Sequence, residues 1–413
     1  MKTGKSQRFS SSLRTNIFLL VFSILVSIFL AEGAVRIYFR LNHRNIYQQL
    51  AQQRAPNDSH FVVKDIIAPS INPRLIYELI PNRKGWFRGL PFFTNSFGIR
   101  GPEVTKIKPK NVWRIAALGD STMFGWGVGQ EENYTAVLQE ALNAAGDEKH
   151  YEVLNFAVPG YNTAMETEIF KTRAAGFLPD LILIQFDIND LALPNFVLEP
   201  PGLFTLERSY LVTLISSLFK GQDARQGLAQ LAEKELQETP LIDAPSTGGI
   251  VKYFEYRSEF TPERYRYMVG WDGVRQALTD LWENSHQPVL HLSWIYPISK
   301  KKLTDFGDID HYSLHVKEGR KNRADGDRLY FLNIESVGRE FCRELGLRWV
   351  RDLVVDYPND FHPSTERHIL IARQIYLFLV ENHLLPGESK HYQKSSVIAQ
   401  LLWDRAKKSA GRN

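Results

Sequence analysis

Cysteine is almost missing: Cys342 is the one thiol in 413 residues. A lone thiol excludes an intramolecular disulfide and any metal cluster built on cysteine, and beside Phe341 and Leu345 it reads as a residue on a helix face. A charge excess of one sign is missing too. The 50 Lys and Arg are balanced by 46 Asp and Glu, for a net +4, and the cations are scattered rather than gathered into a stripe. That excludes a dedicated nucleic-acid surface. No repeat or low-complexity tract interrupts the chain. What is left, with 44% apolar residues, is a polypeptide long enough for one large domain or two ordinary ones, folding without staples.

Long apolar runs are also scarce, with one exception at the N-terminus. Asn16 to Ala31 reads NIFLLVFSILVSIFLA, preceded by Lys2, Lys5, Arg8 and Arg14 with no acid among them. With the following EGAVRIYF it reaches the length of a helix that crosses a bilayer. Glu32 and Arg36 stand four apart, so they can pair on one helix face near the headgroups. The basic side is expected to stay in the cytoplasm, which places the rest of the chain outside it, in the periplasm of a single-pass inner-membrane protein. A cleaved signal peptide is the alternative, because Ala31-Glu-Gly33 offers small residues at cleavage-like spacing. Both readings export the remaining chain.

Four regions follow: residues 1–40 as cytoplasmic tail and signal-anchor, 41–110 as linker and short β-rich lead-in, 111–386 as the main domain with a helical insertion at 193–285, and 387–413 as a basic tail helix. The lead-in stretch INPRLIYELIPNRKGWFRGLPFFTNSFGIRGPE, Ile71 to Glu103, is dense in aromatics and turn residues and predicts short strands. In the main domain, apolar β-rich runs at Trp113–Leu118, Tyr151–Phe156, Leu181–Phe186, Val289–Ile295 and Leu347–Val350 predict strands. Helical periodicity appears at Tyr134–Ala145, Ala164–Ala175, Pro262–Trp282, Ser336–Leu345 and Ser364–Asn382. Such alternation predicts an α/β fold: a five-stranded, mostly parallel sheet with helices on both faces, a flavodoxin-like three-layer sandwich. The highly charged stretch Lys300–Leu329 reads as a surface loop.

In open parallel sheets, ligands lie beyond the carboxyl ends of the strands, so each loop after a strand is a place for chemistry. Ser121 follows the first predicted strand in ALGDSTMFGWG, where a hydroxyl projects from the sheet edge and backbone N–H groups face a forming oxyanion. Alone, Gly-Asp-Ser is also ordinary turn chemistry. The second strand runs into Asn155-Phe-Ala-Val-Pro-Gly160, where an N–H without a side chain beside it can approach a substrate oxygen closely. The third runs into Phe186-Asp-Ile-Asn189-Asp190, where a carboxamide can donate a hydrogen bond. Near the C-terminus, Asn359-Asp360-Phe361-His362 supplies a base and an acid to orient it.

In that chain order, Ser121, Gly160, Asn189 and His362 resemble the four blocks of the SGNH hydrolase superfamily, also called GDSL esterases, over roughly Arg114 to Leu385. The lead-in TNSFGIRGPE and the N-terminal segment with Glu32 and Arg36 look like membrane-anchored bacterial members. The resemblance implies Ser121 as nucleophile, His362 as general base, Asp360 as its partner, and Ser121, Gly160 and Asn189 as the oxyanion hole. No cofactor or metal is implied. Two departures stand out. The fourth block usually reads Asp-x-x-His, whereas Asn359 stands three before His362 and Asp360 two before, a form that also occurs in the family. The third block usually begins with glycine, and here Asp187 holds that place, which would narrow the pocket or add negative charge beside it.

The implied partner is an acyl ester, with acetyl groups on an envelope or extracellular polysaccharide as one class. Aromatics near the mouth, Trp126, Tyr161, Trp294 and Tyr296, can stack on a sugar ring, and core packing explains them equally well. An O-acyltransferase using the same residues and a catalytically silent anchored binding module are the alternatives. Asp308, Asp310, His311 and His315 suggest a metal cluster less well than a solvated charged loop. His368 reads as structural. The glycines of Gly125-Trp-Gly127-Val-Gly129 lie too far past the strand for a phosphate loop.

Overall fold

In the computed structural model the described residues are 6–42, 55–198, 208–221, 223–228, 230–231, 241–244, 261–293, 308–334, 336–386 and 390–411. The chain forms two compact units, one from Met1–Leu50 with Leu198–Pro240 and the other from Ala51–Val197 with Leu241–Asn413.

The larger unit is built on a five-stranded sheet. Its strands are β1 (Val112–Leu118), β2 (His150–Asn155), β3 (Leu181–Phe186), β4 (Val289–Ser293) and β5 (Leu329–Asn333). They run β2-β1-β3-β4-β5, every neighbour parallel. This is the flavodoxin-like order, in which the winding direction reverses between β1 and β3. Strand β3, LILIQF, is buried at every position, as expected of a central strand covered on both faces. Helix Tyr134–Ala144 covers one edge with Tyr134, Val137, Leu138, Ala141 and Leu142 inward, a spacing of three and four that makes one apolar stripe. The Asn133 side chain caps its start by accepting from the Ala136 N–H. Helix Thr365–Glu381 packs beside it, and the tail helix His391–Ala410 docks on the pair through Ile398, Ala399, Leu402 and Ala406.

The lead-in forms two small sheets. Ile67–Pro69 pairs with Tyr77–Leu79, and His60–Phe61 with the hairpin of Lys84–Phe87 and Leu90–Phe93. Arg88 and Gly89 make the hairpin tip, both at positive φ.

Two expectations need correcting. The fifth strand is Leu329–Asn333, not Leu347–Val350; the latter run enters the short helix Trp349–Asp352. Both are brief apolar runs, which periodicity alone cannot assign. The charged stretch expected as a loop holds a helix, Asp308–Asn322. Tyr312 and Val316, four apart and buried, give it a seam against the core, and Gly319 lets it approach Trp282. Residues 198–240 group with the first unit, and the helix Gly270–Glu283 belongs to the main unit.

In the smaller unit, helix Ser6–Asn42 contains the apolar segment Thr15–Tyr38, long enough by length and composition to cross a membrane. A second helix, Tyr210–Phe219, joins it.

Candidate active site

Strand β1 ends at Leu118, and the chain turns through Gly119 and Asp120 into a one-turn helix, Ser121–Phe124. Asp120 caps it by accepting from the Thr122 N–H at 2.9 Å. Gly125 closes it at φ 90, and a Cβ there would meet the Asn133 Cβ at 2.6 Å, so only glycine fits. Ser121 therefore sits at a helix start on the carboxyl edge of the sheet. The turn is braced from the lead-in. Arg100 donates to the carbonyls of Phe124, Gly125 and Val128 and to Gln130 Oε1. Burial lowers its pKa to about 9, which keeps it cationic at neutral pH.

His362 comes from the far end of the chain. Strands Val354–Asp356 and Asp360–Pro363 form an antiparallel hairpin that ends against the helix Thr365–Glu381. Its Nε2 lies 2.8 Å from Ser121 Oγ, and its Nδ1 lies 2.6 Å from Asp360 Oδ1. An ionised carboxylate only accepts, so Nδ1 carries the proton and the Nε2 lone pair faces the serine hydroxyl. Asp360 is two residues before His362. Asn359 instead donates to Asp356 at 3.2 Å on the surface, away from the imidazole.

Three hydrogen bonds and an ion pair converge on Asp360. Oδ1 takes the His362 ring and backbone N–H groups; Oδ2 takes Trp126 Nε1 at 2.9 Å and Arg88 Nη2 at 3.0 Å. Burial raises the pKa of this carboxyl, yet the His362 and Trp126 hydrogen bonds outweigh burial and hold it well below the usual range. Trp126 also stacks on His362 with centroids 5.2 Å apart, and the Arg88 guanidinium lies over the other part of this cluster, 5.1 Å from the Trp126 ring. Sequence reasoning missed Arg88. An arginine at a hairpin tip carries no signal until the fold brings it to residue 360.

On the opposite side stand Gly160 and Asn189. The loop after β2 is tied to the nucleophile turn by the Val158 N–H on the Gly119 carbonyl at 3.1 Å. Gly160 has φ +77, and a Cβ there would overlap Asn195 at 2.3 Å. Asn189 lies in the 3-10 turn Ile188–Leu191 after β3, and its Nδ2 donates to Asp120 Oδ2 at 2.9 Å, leaving the second amide hydrogen for another acceptor.

Of the two effects expected of Asp187, the added charge does not arise. Asp187 is fully buried, caps the 3-10 turn by accepting from the Ile188 N–H at 2.7 Å, and takes a hydrogen bond from Thr122. Burial, then the Asp120 and Asp190 charges, raise its pKa well above normal, so it adds no exposed charge to the mouth. Asp190 and Glu166 are buried with it and likewise raised, burial first in both. In the unfolded chain Glu166 would ionise near 4.5, while the fold keeps it protonated. The stability it contributes is full below that pH and is lost as pH rises toward the folded value, by at most about 1.4 kcal/mol per pH unit. Glu166→Gln removes this slope. Its Tm relative to the native protein is expected to rise between pH 5 and pH 8, as thermal unfolding at the two pH values would show; an unchanged difference would contradict the protonated state.

Other sequence candidates are spent elsewhere. Tyr161 is buried and donates to the Tyr77 carbonyl, so it is no mouth aromatic. His368 is buried, stacks on Tyr134 and accepts its backbone N–H at 3.1 Å. His311 stacks on Trp271 and His315 on Trp282. No group of three metal-binding side chains occurs among the described residues. Trp294 and Tyr296 lie outside the described residues.

A hydroxyl, an imidazole and a carboxylate in one hydrogen-bonded row, at the carboxyl edge of a flavodoxin-like sheet, fit the class of serine acyl-transfer enzymes. The sequence places the chain within that class: a model of the GDSL-like lipase/acylhydrolase family matches residues 117–368, and the chain belongs to that family of carboxylic ester hydrolases. No curated protein matches it. Among solved structures, it is similar to a variant of an acetyl xylan esterase from Geobacillus stearothermophilus, at 15% identity and TM-score 0.38, over 69% of this chain and 100% of that one. A family 3 carbohydrate esterase from Clostridium thermocellum matches at 12% identity and TM-score 0.38, over 67% of this chain and 100% of that one.

Proposed function

We propose that the chain is an exported, membrane-anchored serine esterase that removes short acyl groups, acetyl foremost, from envelope or extracellular polysaccharide. The observation that carries the mechanism is the 2.8 Å contact of Ser121 Oγ with His362 Nε2. In this reading His362 takes the hydroxyl proton as Ser121 attacks the ester carbonyl, then passes it to the departing alcohol. The oxyanion is met by the N–H groups of Ser121 and Gly160 and by the second amide hydrogen of Asn189. Water then attacks the acyl-serine, His362 accepts its proton, and the carboxylic acid leaves as Ser121 is reprotonated. Asp360 stays ionised throughout and fixes the tautomer. A silent binding module would follow from a displaced acid, and Asp360 at 2.6 Å is in reach. The anchor reading draws on the apolar helix segment Thr15–Tyr38 with its cationic N-terminal flank.

The test is covalent. Full-length protein in detergent, treated with a fluorophosphonate, is expected to carry the adduct on Ser121, found by peptide mass spectrometry, and to release acetate from acetylated oligosaccharides. Adduct without acetate release from any ester would defeat the esterase reading. Acyl transfer to an added sugar instead of water would identify the transferase.

In the same reading Arg88 and Trp126 are positioning residues, holding the Asp360 oxygen that His362 does not use. The Arg88 side chain is about two-fifths exposed, so solvent screening limits the pair to about 1 kcal/mol. Arg88→Ala should lower kcat about fivefold with little change in KM, and Arg88→Lys should restore much of the loss. Equal loss in both variants, or a change confined to KM, would point to substrate contact instead.

A further inference from the structure

The helix Tyr210–Phe219, YLVTLISSLF, carries no charged side chain. It turns its residues the wrong way round for water. Tyr210 and Ser217 are buried, while Val212, Ile215, Leu218 and Phe219 are exposed, Phe219 to 88%. Their spacing of three, three and one gathers them on one face. Two of its hydroxyls point inward or back to the chain: Thr213 donates to the Ser209 carbonyl, and Ser217 lies against Gly227. A water-soluble surface helix shows the reverse arrangement.

What fastens this helix indicates what covers the face. Glu32, near the end of the apolar segment Thr15–Tyr38, accepts from Ser209 Oγ at 2.7 Å and from the first two helical N–H groups, Tyr210 at 3.0 Å and Leu211 at 2.8 Å. A carboxylate at that end of a helix is met by unsatisfied donors and by the positive end of the helix dipole. Arg36 pairs with Glu32, donates to the Arg208 carbonyl and lies over the Tyr210 ring. Val35 packs on the small core of Tyr210, Leu228 and Leu231, with Leu214. These contacts are confined to the outer turns of the long helix, since residues 15–30 are exposed throughout. Asn16–Ala31 carries no charged side chain, and Glu32 and Arg36 are the first charges after it, so the fastening point lies where the uncharged stretch ends, toward the headgroup side of the span.

We infer that Tyr210–Phe219 is an interfacial helix, lying at the headgroup boundary of the bilayer that the N-terminal helix crosses, with Val212, Ile215, Leu218 and Phe219 in the acyl region. Lys220, exposed at the helix's C-terminal end, can reach lipid phosphates. The satisfied carboxylate of Glu32 then serves as the joint between span and interfacial helix. The inference rests on the anchor reading, because a cleaved N-terminus would remove that joint.

Full-length protein tests it, in a Cys342→Ala background with one new cysteine at Phe219→Cys or Leu25→Cys, each labelled with an environment-sensitive fluorophore. The protein is placed in phosphatidylcholine–phosphatidylglycerol vesicles brominated near the top or near the end of the acyl chains. The label at 219 is expected to be quenched by shallow bromines and shielded from aqueous iodide, and the label at 25 to be quenched by deep bromines. Iodide quenching at 219, or protection from both quenchers there, with position 25 still quenched by lipid, would overturn the interfacial helix alone. Iodide quenching at 25 would end the anchor reading and the inference with it.

Discussion

Ser121→Ala is expected to lower kcat for ester hydrolysis by about 10⁶, with unfolding temperature nearly unchanged, because groups that act as a unit lose nearly everything when one is removed. The hydroxyl is the only atom deleted. His362 Nε2 loses its partner at 2.8 Å, and the Asp120 cap of the turn remains. Release of nitrophenol from nitrophenyl acetate, followed against a thermal melt, separates lost chemistry from lost fold. The fluorophosphonate adduct should vanish in the same variant. Activity within tenfold of the native protein would rule out the acyl-serine route and with it the role of every residue assigned around it.

Asp360→Asn is expected to cost about 10⁴ in kcat, through the tautomer rather than through folding. An amide that keeps Trp126 Nε1 on its oxygen turns its NH₂ toward His362 Nδ1, which must then accept. The ring proton moves to Nε2, the atom that faces Ser121 Oγ, and the base is lost. Asn359→Ala is the matched control. That side chain reaches Asp356, so kcat should hold within a factor of about two. Steady-state rates of the two variants decide which residue serves the imidazole; the reverse pattern would assign the role to the position that the family's usual spacing favours. The low pKa of Asp360 carries a second consequence. Its contribution to stability is present above its unfolded value of 3.8 and is lost as pH falls, so the Asn variant should lose less Tm than the native protein on acidification below pH 4.

The site was legible where topology does the work. A parallel sheet puts all its carboxyl ends on one edge, so serine after β1, glycine after β2 and asparagine after β3 fall along that edge. His362 and its partner Asp360 could be read from the family's block order, and the two-stranded hairpin that aims them could not, because it turns on strand pairing and side-chain direction over a few residues. Leu329–Asn333 was hidden inside a charged stretch, where a five-residue strand is outvoted by its neighbours. Asp187 was misjudged for a different reason. Sequence places an acid at the glycine position, and only the fold shows that its carboxylate turns inward to cap Ile188. Arg88 had no local signal at all, since its partner is distant in the chain.

Arg88 and Arg100 both lie upstream of residues 117–368. A gene trimmed to that stretch would encode the serine, the imidazole and the acid, but its product would strand the carbonyls of Phe124 and Val128 and leave one Asp360 oxygen with Trp126 as its sole neighbour of the present pair. Because the same cut removes most of strand β1 and of the helix Thr365–Glu381, a sluggish preparation from such a clone would reveal a damaged scaffold, not a poor enzyme. The heritable unit of catalysis reaches back past the recognised boundary into the aromatic segment before it.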